Sequence, residues 1–132
     1  MTERINLEVP AALSALSAVR RVLGGLGARL GYSLDDIEDL YLGTEELLRA
    51  ALSYESLECF RLEMLVAADH LQLTIGTFSS ERLLAEVAAE VQACDSIDLC
   101  RLLHRTMDEV RVVDPGDAFS VVLLRRHRGV DS

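Results

Sequence analysis

In the stretch GTEELLRAAL, residues 43 to 52, two glutamates stand side by side in an apolar run and Arg49 follows Glu45 by four positions. A carboxylate at the edge of a pocket can act as a general base, taking the proton of an attacking hydroxyl. The same spacing is the favoured order for a surface ion pair, glutamate ahead of arginine at i, i+4. With Ile37 at zero on a helical wheel, Leu40, Tyr41, Thr44, Leu48 and Ala51 stay within about 60° of it. Glu45 then falls at roughly 80° and Arg49 at roughly 120°, both on the flank, and Glu46 points to the opposite, solvated side. Spacing by itself supports a flank ion pair, with Glu45 as a catalytic base the alternative.

The remaining chemistry-bearing residues form no constellation. His104 sits on a mostly apolar helical face between Leu103 and Met107, as a half-buried histidine would. His70 begins a strand and His127 lies in the basic tail RRHR, read as a solvated strand end. Cys59, Cys94 and Cys100 are an odd count with no CxxC, the pattern of free thiols in a reducing compartment, and no metal site is suggested. All 13 basic residues are arginines, which removes Schiff-base chemistry and the lysine of a Walker-type phosphate loop. A net charge of −9 argues against nucleic acid and favours a basic protein as partner.

These residues must be positioned by a single domain spanning 1–132, with half its residues apolar. No signal core opens the chain and no apolar run reaches the ~18 residues of a membrane span, so a cytoplasmic protein is expected. Ile5, Leu7 and Val9 alternate in a strand stopped by Pro10. Helical spacing runs from Ala11 to about Leu30, with fraying expected at Gly24, Gly25 and Gly27 and a stop at Gly31. Ser33 or Asp35 caps a second helix to about Leu52, with Asp35 and Asp36 near its positive end. CFRLEMLVAA and HLQLTIGT read as an antiparallel hairpin turning at Ala68-Asp69. Two helices follow, the first capped at Ser79-Ser80 and the second placing Ile97, Cys100, Leu103, His104 and Met107 inward or nearly so. A last hairpin turns at DPGD. The order β–α–α–β–β–α–α–β–β predicts an α/β two-layer sandwich (α+β), a mostly antiparallel sheet with helices on one face.

Four segments carry a resemblance across nearly the whole chain: INLEVPAALSALSAVRRVL, DDIEDLYLGTEELLRAAL, LQLTIGTFSS and LCRLLHRTMDEVRVVDPGDAFSVVLLRR. The order and these segments resemble the histidine-kinase-like (GHKL, Bergerat-fold) ATPases, in the branch of anti-sigma regulatory factors. Glu45 matches the family glutamate that acts as general base or orients the attacking hydroxyl, and Arg49 stands where the family keeps a magnesium-binding asparagine. Thr77 and Ser79 fall where the adenine-binding aspartate and its following glycine would be, and Ile97 and Leu99 at glycines of the second box. An arginine has no lone pair for a cation, and branched side chains block the close backbone approach that glycine permits. The resemblance implies ATP with magnesium as cofactor if the site works, and none if these departures have closed it. It implies a sigma factor and a STAS-domain anti-anti-sigma protein as partners, with homodimerisation common. With these departures the function expected is sequestration of a sigma factor by contact, the alternative being a serine kinase acting on the STAS-domain antagonist. A dimerising scaffold without a sigma partner is a third.

Overall fold

The computed structural model describes residues 2–88, 99–114 and 116–127. Strand β1 (Glu3–Pro10) leads through a 3-10 turn (Leu13–Ala15) into α1 (Leu16–Leu30) and α2 (Leu34–Tyr54). The hairpin β2 (Cys59–Val66) and β3 (His70–Phe78) follows, then α3 (Glu81–Ala88), α4 (Leu99–Thr106), β4 (Glu109–Val113) and β5 (Phe119–Arg126). The five strands pair antiparallel throughout in the order β1-β2-β3-β5-β4. The helical crossover therefore reaches the edge strand β4, and β5 returns to fill the centre.

Period-two alternation puts one set of side chains under the helices. Ile5, Met64, Leu73, Leu123 and Val110 form one row across the sheet, and Leu7, Leu62, Ile75, Val121 and Val112 the next. Leu23, Leu40, Leu47, Leu48 and Leu83 close on these rows from the helices with essentially no exposure. The opposite face carries polar residues, among them Arg4, Glu8, Arg61 and Thr74. Cys100 is buried and Cys59 half-buried; Cys94 and Ile97 lie outside the described residues.

α1 runs unbroken through Gly24, Gly25 and Gly27, against the expected fraying. The third glycine explains part of this: a Cβ on Gly27 would lie 2.6 Å from Ile37 Cγ1, so its smallness lets α2 pack close. α1 stops where expected, at Gly31 in the left-handed region with φ 80°. The cap of α2 is Ser33, whose Oγ accepts the Asp36 N–H at 3.1 Å, and the helix extends to Tyr54. His104 is exposed, not turned inward, because the buried stripe of α4 is Cys100, Leu103 and Thr106.

Candidate functional site

α2 meets a different neighbour on each flank. Toward α1 stand Ile37 and Tyr41, with the Arg20 guanidinium 4.5 Å from the centre of the Tyr41 ring. On the other flank Gly43 touches the end of α4, where a Cβ would lie 2.5 Å from Thr106 Oγ1 and 2.7 Å from Met107 Cε. The buried arc, with Leu40, Thr44, Leu47 and Ala51 at its middle, is rotated from the wheel centred on Ile37.

That rotation decides where the two glutamates go. Glu45 lies on the α1 side, and its Oε1 accepts from Arg49 Nε at 3.1 Å and Nη2 at 2.8 Å. Burial pushes the Glu45 carboxyl up, but hydrogen bonds from Tyr41 and Arg49 and the charges of Arg49 and Arg20 outweigh it and hold it below its ordinary value. Glu46 is half-buried, not solvated as expected, because it faces the α4 flank. It lines a cleft of about 340 Å³ with Arg49, Ala50, Ser53, Tyr54, Glu86, Leu99 and Leu102. Tyr54 donates its hydroxyl to Glu86 Oε1 at 3.0 Å and carries the Arg82 guanidinium 4.7 Å from its ring centre.

Thr77 and Ser79 do not join this cleft. The ladder between β3 and β5 slips between Gly76 and Phe78, and Thr77 is the residue left unpaired. It opens onto a depression of about 330 Å³ on the polar face of the sheet, beside Asn6, Arg61 and Ser120. Gly76 permits the contact there, since a Cβ would stand 3.1 Å from Ser120 Cα. Ser79 is held by the end of α2: its N–H and that of Ser80 donate to Glu55 Oε2 at 2.7 and 2.6 Å, and its hydroxyl to Oε1 at 3.2 Å. Ser80 is the cap of α3, its Oγ accepting the Leu83 N–H at 3.1 Å. Of the four candidate residues, Glu45 and Arg49 are brought together, Arg49 borders the cleft, and Thr77 and Ser79 lie elsewhere.

Of the basic stretch RRHR, expected to be a solvated strand end, Arg126 is exposed but Arg125 is buried in a second polar cluster. Arg125, 7% exposed, pairs with Asp36, 8% exposed, and with Asp39 at 3.3 Å, and donates Nη1 to the Thr106 carbonyl at 2.8 Å. Tyr32 donates its hydroxyl to the Arg125 carbonyl at 3.3 Å and stacks on His127 with ring centres 4.8 Å apart. Burial, then the Asp36 charge, push the Tyr32 hydroxyl up to about 12. The parity of β5 carried the signal: Phe119, Val121 and Leu123 point inward, so Arg125 must as well.

No family model matches the chain, and no curated protein does. Among solved structures it is similar to the RsbU and RsbW domains of Rv1364c from Mycobacterium tuberculosis. The TM-score is 0.67 over 94% of this chain at 15% identity, and the match spans 32% of the other chain. The likeness is one of fold: a five-stranded antiparallel sheet with a layer of helices, an α+β two-layer sandwich. Among the described residues no helix is long and apolar enough to cross a membrane, and no three His, Cys, Asp or Glu side chains are grouped as metal ligands.

Proposed function

We propose that this chain is an anti-sigma-factor-like regulator that sequesters a sigma factor by protein contact, without working nucleotide chemistry. The observation that carries the reading is the composition of α2 beside the α4 cleft. The order of the motif pairs Glu45 with Arg49, whereas the cleft side of the helix presents Glu46 and, four residues on, Ala50. In neither register does the second position offer a lone pair: a guanidinium has five donors and no acceptor, and a methyl has neither. Glu45 is also a weak base, since its carboxyl is held low while general bases work best near the operating pH. Thr77, on the far side of the sheet, supports the same conclusion.

The resemblance to anti-sigma regulatory factors supports adding a STAS-domain antagonist as the competitor for the chain, and a homodimer as its assembly, to this reading. The rival reading is a serine kinase that phosphorylates that antagonist. Calorimetric titration and thermal melting with millimolar Mg-ATP separate them. A ligand at a hundred times its Kd stabilises by about 2.7 kcal/mol, a large melting shift. The expected result is no shift. A magnesium-dependent shift, with radiolabel moving from ATP to a STAS-domain protein, would establish the kinase instead.

A further inference from the structure

The outward side of α2 carries a stripe that nothing among the described residues covers. Leu34 and Leu42 are 81% and 40% exposed, two of the three large exposed hydrophobics described, the other being Leu13. Eight residues apart, they lie on one side of the helix about 12 Å from each other. Glu38 stands between them and Asp35 beside Leu34, and neither makes an ion pair among the described residues. Along the margin of the stripe a groove of about 180 Å³ runs between α1 and α2, lined by Arg20, Gly24, Ile37, Glu38 and Tyr41. A Cβ on Gly24 would meet nothing within 4 Å, so internal packing does not require glycine there, although glycine weakens a helix interior.

We infer that this stripe and groove dock a basic amphipathic helix of a partner protein. Its apolar side chains lie on Leu34 and Leu42, one of them entering the groove over Gly24, and its arginines or lysines meet Asp35 and Glu38. Helix-in-groove recognition combines these elements, apolar anchors at helical spacing with complementary charge at the rim. Charge also weighs against a second copy of this chain, because a two-fold contact centred on the stripe would bring two acidic patches together. Arg20, the cation beside the groove, is turned onto the Tyr41 ring. The inference rests on the sequestration reading for the partner's class, and on the surface alone for its chemistry.

The probe is a synthetic Leu/Lys amphipathic helix of about five turns, labelled and followed by fluorescence anisotropy at physiological ionic strength. The double variant Leu34→Ser/Leu42→Ser should weaken binding at least about tenfold, since burying a leucine contributes more than the increment of one decade. Gly24→Leu should do the same by filling the groove without changing charge or removing an apolar anchor. Leu13→Ser, ahead of α1, and Glu63→Lys, on the polar sheet face, should change it by less than about twofold. No binding by the wild type, or equal losses in the control variants, would overturn the inference. So would a dimer in sedimentation that Leu34→Ser/Leu42→Ser dissociates, because the occupant would then be a second copy. Capture of a sigma factor is measured on the same proteins. Capture without peptide binding overturns the stripe and keeps sequestration; peptide binding without capture does the reverse.

Discussion

Glu45 illustrates how a carboxylate's charge state is set by its neighbours. Its Oε1 receives two donors from Arg49, and only a deprotonated carboxyl accepts both well. Followed by carbon NMR, the Glu45 side chain should titrate below the 4.5 of an unperturbed glutamate, and Arg49→Ala should move it upward, since the opposing effect of burial remains. A carboxyl depressed in the folded state contributes stability above its unfolded value and loses it as pH falls through the folded one. The stability difference between wild type and Arg49→Ala should therefore be largest at neutral pH and vanish in acid, a trend that urea unfolding across that range would measure. A difference that grows in acid would show the pair to be misassigned. Glu45→Ala should lower the melting temperature only slightly, as a flank ion pair implies.

At the scale of elements, the joints between α2, α4 and β5 hold the fold together by two unlike means. One is polar: Arg125 of β5 reaches Asp36 at the start of α2 and the carbonyl of Thr106 at the end of α4. Removing one partner of a buried pair strands the other charge, so Arg125→Met should destabilise by about 3–5 kcal/mol in denaturant unfolding. Asp36→Leu/Arg125→Met should recover most of that loss, because neither charge is then left alone. Asp39, 42% exposed at its side chain, can return to water. The other joint is steric. Gly43→Ala drives a methyl against Thr106 and Met107 and should cost about 1–3 kcal/mol by the same measurement.

Across the whole molecule, the distribution of charge follows from where the arginines are spent. On the polar sheet face Arg4 meets Glu63, Arg61 meets Glu8, and Arg111 and Arg126 meet Glu109. Arg125 is buried in its pair with Asp36, and with no lysine anywhere the chain as a whole carries a net charge of −9. A basic partner should be steered by that field. Its association rate should fall steeply between low and physiological ionic strength, read by stopped-flow fluorescence, while the dissociation rate changes little. An association rate indifferent to salt would count against electrostatic capture.

The element order, the inward rows of the sheet and the cap of α2, narrowed to Ser33 or Asp35, were legible in the sequence, because each depends on local periodicity or on a side chain within three residues of its partner. The i, i+4 geometry of Glu45 and Arg49 was legible for the same reason. What the sequence could not supply was the rotation of α2 between two neighbours, which sent Glu46 to the cleft and Glu45 away from it. A wheel orders residues around an axis, but only packing against α1, α4 and the sheet chooses the angle. The unpaired position of Thr77, the engagement of Ser79 by Glu55 and the burial of Arg125 on Asp36 likewise join residues distant in sequence. Such contacts exist only once the sheet has closed, and the candidate site was decided there.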